Sequence, residues 1–110
     1  MRLDDRLSGA GLVITGEGRL DSQTARFGKG PAAVARHARQ AGIPVVAIGG
    51  SIANEAELRL LFDGLEATVL EPCSLEEAIA QARPLLVAAS IRVMRLLLAG
   101  RRLATAHIDG

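Results

Sequence analysis

At 110 residues, 49% apolar and 23% charged, the chain is long enough to bury one core and too apolar to remain disordered. A formal net charge of +1, with Phe27 and Phe62 as the only aromatic residues, excludes a basic, base-stacking nucleic-acid surface. Cys73 is the only cysteine, which excludes an intrachain disulfide and fits a reducing, cytoplasmic setting.

Arg2 to Leu7 reads as the last turns of a helix, stopped by Gly9 and Gly11. No apolar signal-peptide core follows Met1. Leu12 to Thr15 is a short continuous apolar run, the pattern of a strand covered on both faces. A charged loop, Gly16-Glu17-Gly18-Arg19-Leu20-Asp21, is expected to follow it. Pro31 suits the first position of a helix running to about Gln40, with Val34, His37 and Ala38 along one side and Gly42 as its stop.

Val45 to Ile48 is the second strand, ending in Gly49-Gly50-Ser51. Asn54 to Leu61 reads as a short helix with Leu58, Leu61 and Phe62 inward, closed by Gly64. Ala67 to Leu70 is the third strand. Ser74-Leu75-Glu76-Glu77 is a capping box, serine at N-cap and glutamate at N3. The last helical region runs from Leu75 to Ala99, kinked or split by Pro84 and stopped by Gly100. Leu85, Ala88, Ala89, Arg92, Val93, Leu96 and Leu97 give it a broad apolar stripe, and 101–110 reads as a frayed tail. The apolar region from Pro84 to Ala99 is too short and too polar to span a bilayer, so no membrane association is expected.

The order is β-α-β-α-β-α, the spacing of a three-layer α/β fold with a small parallel sheet of the Rossmann or flavodoxin kind. Parallel sheets are usually larger, so the sheet is expected to be incomplete. An open edge and an uncovered apolar face then predict either self-association or a missing N-terminal segment.

The charged segment holds the candidate chemistry. Glu17, between Gly16 and Gly18, can bind a metal or take a hydroxyl proton, or it can simply point to water from a tight turn. Asp21 can act as a second metal ligand or catalytic carboxylate, or bond the local backbone. Arg19 can clamp a carboxylate or phosphate, or neutralise its acidic neighbours. Gly28-Lys29-Gly30-Pro31 places the only lysine at the start of a helix, a miniature phosphate cradle without Walker A spacing. Ser51 and its glycines can bind an anion or serve as a strand-to-helix turn. Cys73 is expected as a small buried filler, His37 as solvated or half-buried, and His107 has no assigned role.

The run from Leu12 to Asp21, with Gln23-Thr24, Gly28-Lys29-x-Pro31 and Val34-Ala35, resembles the C-terminal part of bacterial glycerate kinases of the type I family. Pro44 to Ser51 and Ser74-Leu75-Glu76-Glu77-Ala78 extend the resemblance over most of the chain, from about Leu3 to Leu98. The resemblance implies transfer of the γ-phosphoryl group of ATP to D-glycerate with Mg²⁺, in a cleft between two α/β domains. It further implies Glu17 or Asp21 as metal ligand or hydroxyl-orienting base, and Arg19 and Lys29 as phosphate or carboxylate contacts. Gly11 stands where the family has an acidic residue. Three residues separate Thr24 from Gly28 where two are usual, which bears on the position of Lys29. A cleft needs two walls and this segment supplies one, so little turnover is expected of it alone. A small-anion or nucleotide-binding module without catalysis is the alternative.

Overall fold

A computed structural model describes residues 11–21 and 30–109. Three strands, β1 (Val13–Leu20), β2 (Val45–Ile52) and β3 (Gly64–Ala67), form one parallel sheet in the order β1-β2-β3. Among the described residues four helices lie between and after them: α1 (Pro31–Gln40), α2 (Glu55–Leu58), α3 (Leu75–Ala80) and α4 (Ala82–Asp109). The expected three-layer α/β architecture with a small parallel sheet is present. The helix end read at Arg2 to Leu7 lies outside the described residues.

The two faces of the sheet are covered differently. On one face Val45 and Ala47 of β2 pack with Ala35 and Ala38 of α1, and with Leu58 and Phe62 from the β2–β3 connection. Alanines let α1 lie close to the strands, and the buried line is Ala32, Ala35 and Ala38, with Val34 and His37 only half-buried. Pro31 opens this helix and Gly42, at φ 73°, closes it as read. On the other face Ile48 meets Ala89 and Val93 of α4, with Val46 beside them.

Several boundaries differ from the sequence reading. β3 begins at Gly64 and is paired with Val46 to Gly49, upstream of the expected Ala67 to Leu70. Asp63 sets that start: its carboxylate accepts the Val45 amide at 2.8 Å, and its own amide donates to the Val45 carbonyl at 2.8 Å. Gly64 therefore opens a strand and does not close a helix. α2 is a single turn, with Leu58 and Phe62 fully buried as expected. Ser74 caps α3 by accepting the Glu77 amide at 3.0 Å.

Pro84 divides the last helical region, falling in the first turn of α4 where its missing N–H has no partner to lose. Gly100 does not stop α4, which continues to Asp109. One interior glycine costs a helix about 1 kcal/mol, too little to break a run flanked by Leu96-Leu97-Leu98-Ala99 and Arg101-Arg102-Leu103. Of the apolar stripe read for this helix, Ala89 and Val93 are buried and Leu85 and Arg92 half-buried, whereas Ala88, Leu96 and Leu97 are exposed. Among the described residues no helix is long and apolar enough to cross a membrane.

Candidate functional site

The segment read as a charged loop is strand. β1 runs without interruption through Gly16-Glu17-Gly18-Arg19 to Leu20, and β2 runs through Gly49-Gly50-Ser51 to Ile52. The two stay in parallel register, Glu17 opposite Gly49, Arg19 opposite Ser51 and Leu20 opposite Ile52. β3 ends opposite Gly49, so Gly50, Ser51 and Ile52 extend past it, paired with β1 alone. The result is a two-stranded ribbon projecting from the carboxyl end of the sheet, the rim where open α/β folds bind ligands.

Glycines make the ribbon compatible with the core. Val13 belongs to the α1-side cluster, so strict alternation would send Leu20 to the opposite face; instead Leu20 is fully buried with Val45 and Ala47. The alternation resets across the glycine segment. A Cβ on Gly49 would lie 2.8 Å from Cγ and Cδ1 of Leu20, so Leu20 fills the place of a Gly49 side chain. A Cβ on Gly50 would lie 2.6 Å from the Gly18 carbonyl oxygen, so only glycine lets the strands approach this closely. Gly49 and Gly50 thus have a packing role, and neither they nor Ser51 form the strand-to-helix turn considered from the sequence. Ser51 is exposed on the ribbon.

Glu17 is exposed, and its Oε1 accepts the Gly18 amide at 3.1 Å. Its Oε2 lies 3.9 Å from where a Gly30 Cβ would sit. Gly30 is the N-cap of α1, at φ 59°, and gives no side-chain cap; the first turn of α1 holds no acidic residue. The Glu17 carboxylate therefore stands beside the positive end of α1. Arg19 donates from Nε to Asp21 Oδ2 at 3.0 Å, with the arginine side chain 68% exposed and the aspartate 20%. That pairing is one of the two roles read for Arg19; at such exposure it is weak enough to exchange for a ligand oxygen. Among the described residues nothing lies within 4 Å of a Cβ built on Gly18, so this stretch of backbone is open to an incoming group.

The ribbon thus brings Gly16, Glu17, Gly18, Arg19 and Ser51 together at one rim, with Asp21 just beyond it. Lys29 lies outside the described residues. Cys73 is exposed, not the buried filler expected, because it falls in the Glu71-Pro72-Cys73 connection before α3. Sequence reasoning missed a cleft of about 340 Å³ after β3, lined by Thr68, Glu71, Cys73, Gln81 and Arg92 among others. Arg92 itself is spoken for: Nε donates to Glu66 at 2.9 Å and Nη2 to the Ala67 carbonyl at 2.9 Å, tying α4 to β3. A polar residue within an apolar helical stripe was the available signal for that tie.

Comparison with known proteins agrees with this architecture. Residues 1–98 match the model of the glycerate kinase family. A glycerate kinase of Bacillus cereus is 46% identical over 77 residues, covering 68% of this chain and 20% of the relative. One from Haemophilus influenzae is 35% identical over 101 residues, covering 88% and 26%. A solved structure described as glycerate kinase 2 of Salmonella typhimurium LT2 superposes with a TM-score of 0.65 at 37% identity, covering 91% of this chain and 25% of the other. The chain therefore spans about a fifth to a quarter of the length of these relatives, and it belongs to the glycerate kinase family.

Proposed function

We propose that this chain is the C-terminal portion of an ATP-dependent kinase that phosphorylates D-glycerate, and that the β1–β2 ribbon forms one wall of its active cleft. The observation that carries the reading is the register of the ribbon, with Arg19 opposite Ser51 and Glu17 opposite Gly49 at the carboxyl end of the sheet. Membership of the glycerate kinase family supplies the reaction class.

In that reaction a glycerate hydroxyl oxygen attacks the γ-phosphorus of ATP. The bond to the ADP oxygen breaks, and the hydroxyl proton passes to a base. Positioning and charge stabilisation are most of what such a transfer asks of a protein. Glu17 is the residue we assign to orient the hydroxyl and accept its proton. Arg19, released from Asp21, contacts a phosphate or the glycerate carboxylate, and Ser51 donates a hydrogen bond beside it. Lys29, two residues before Pro31, is assigned to the phosphates. The open backbone at Gly18 lets these groups come close.

Mg²⁺ fits the residues present. A phosphate drawn to the N-terminus of α1 meets the Glu17 carboxylate, and a divalent cation removes that repulsion. One or two carboxylates, here Glu17 and Asp21, are the usual protein share of an Mg²⁺ site, with substrate phosphates and water completing it. When bound, the ion neutralises charge on the transferring phosphates.

In a full-length polypeptide carrying this segment, Glu17→Gln should lower kcat about 10²- to 10⁴-fold with a smaller change in KM. Unchanged turnover would remove Glu17 from the chemistry. The 110-residue chain alone should turn over little; full activity from it would show that no second wall is needed. Saturable binding of Mg-ATP with no turnover by the full-length polypeptide would favour the non-catalytic module.

A further inference from the structure

The sheet has two outer edges, and they are finished differently. β3 is four residues long, and a side chain guards its outer edge. The Thr68 amide donates to the Gly49 carbonyl at 2.9 Å, so Thr68 faces β2 and its neighbour Ala67 faces outward. There the Ala67 carbonyl accepts Arg92 Nη2 at 2.9 Å, and Arg92 Nε holds Glu66 beside it. Short strands and charged edge residues are how sheets refuse a further strand. β1 is eight residues long and opens with Val13-Ile14-Thr15. The Val13 amide donates to the Pro44 carbonyl at 3.0 Å, so Val13 faces β2, and by alternation the amides of Ile14 and Gly16 face outward. Among the described residues the nearest side-chain bonds are those of Glu17 and Arg19, beyond Gly16.

The face beside β1 is unfinished as well. Val13 belongs to the α1-side cluster, so alternation turns Ile14 to the α4 side, where it is 46% exposed. The buried contacts of α4 lie on β2, at Ile48 and Val46, and stop short of β1. Its exposed apolar residues, among them Leu86, Val87, Ile91, Met94, Leu97 and Leu98, form a band too broad for one facing helix. That is the pattern of a helix enclosed by neighbours in a larger layer. Handedness says where those neighbours come from. Right-handed crossovers running from β1 to β2 to β3 put α1 and α2 on one face, as found. Crossovers running the other way from β1 put their helices on the opposite face, beside Ile14 and α4.

We propose that the outer edge of β1 pairs with a strand from the preceding part of the same polypeptide, and that a helix from that part covers Ile14 beside α4. β3 is then an edge of the full sheet. The inference rests on the reading of this chain as the C-terminal portion of a longer kinase. Length argues for the source of the strand: the chain covers 20% and 26% of two relatives, so about three quarters or more of each lies outside it. A tethered segment meets the edge at an effective concentration on the order of millimolar, whereas a second copy must reach it from solution. β1 then stands where the winding of the sheet reverses, with α1 on one face and the incoming helix on the other. The crevice at such a reversal opens at the carboxyl end of the strands, here beside Glu17. The incoming strand thereby supplies the second wall of the cleft.

Amide hydrogen exchange of the full-length polypeptide carrying this segment, resolved to single residues by mass spectrometry, tests the edge. Ile14 and Gly16 should exchange at least about 100-fold more slowly than Leu65, which faces outward on β3 two residues before Ala67. The covering helix is tested by Ile14→Cys in the same polypeptide. The new thiol should react with a maleimide about 100-fold more slowly in the native protein than after urea unfolding, read on the peptide that contains position 14. An Ile14 amide as fast as that of Leu65, or Leu65 as the slow member of the pair, overturns the proposal. So does a thiol at position 14 as reactive as in the unfolded chain. Protection of Ile14 that disappears as a dimer is diluted apart, followed by sedimentation, assigns the edge to a second copy and overturns it too. Glycerate phosphorylation by the same preparation separates the two readings. A protected edge without turnover removes the kinase assignment and keeps this one, whereas turnover with an unprotected edge does the reverse.

Discussion

The two faces of the sheet make an instructive pair. The α1 side closes on itself: Leu20, Ala35, Ala38, Val45, Ala47, Leu58 and Phe62 are all buried, and Leu20 is drawn in from the very end of its strand. The α4 side buries only Ile48, Ala89 and Val93 and leaves apolar residues exposed along most of its helix. The helix on the less covered face, α4, is the more apolar of the two, so composition does not explain the difference. What differs is the number of elements available to cover each face. Among the described residues the α1 side is served by two helices and the connections beside them, whereas the α4 side has one helix that leaves the sheet halfway along its length.

If the α1 face holds most of the stability, substitutions there should cost far more than equivalent ones across the sheet. Val45→Ala should destabilise by about 2–3 kcal/mol and Val93→Ala by about 1 kcal/mol, measured by urea unfolding. Equal losses would break the contrast. The ribbon offers a finer probe. Gly49→Ala should cost about 1–3 kcal/mol through its 2.8 Å clash with Leu20. Adding Leu20→Ala should make the double variant about 1–2 kcal/mol more stable than the sum of the singles, and strict additivity would deny the contact. Arg92→Ala should cost about 1–2 kcal/mol, because it leaves Glu66 and the Ala67 carbonyl unpaired at a half-buried seam. Ser74→Ala, on the exposed cap of α3, should cost about 1 kcal/mol and leave the sheet unaffected by hydrogen exchange.

Local chemistry made part of this structure legible in advance. Pro31 and Gly42 bracket α1, Ser74 and the Glu77 amide form the cap of α3, and Val13–Thr15 and Val45–Ile48 lie in parallel strands, because each signal is decided within a few residues. The failures share a cause. Gly16-Glu17-Gly18 and Gly49-Gly50 look like loops, since exposed charge and glycine are poor strand formers. They are strand because each lies against the other, a fact held in the pairing and not in either segment. Gly64 and Gly100 were read as stops by the same local rule; Asp63 and the strong flanking helix formers override it. The candidate site followed the same division. Its residue types were legible, but their arrangement as a ribbon, with Glu17 turned toward the start of α1, depends on register. Cys73 was misplaced because a lone cysteine carries no information about which connection it will occupy.

The central claim is that the β1–β2 ribbon is where substrate meets this chain. Backbone amide chemical shifts of the 110-residue chain, followed by NMR while D-glycerate and Mg-ATP are added, test it most directly, because weak binding to a single wall is still visible. The ribbon account predicts perturbations concentrated at Gly16 to Asp21 and Gly49 to Ser51, reduced in Glu17→Gln. Perturbations confined to the cleft around Glu71, Cys73 and Arg92, or spread without preference for the ribbon, would contradict it.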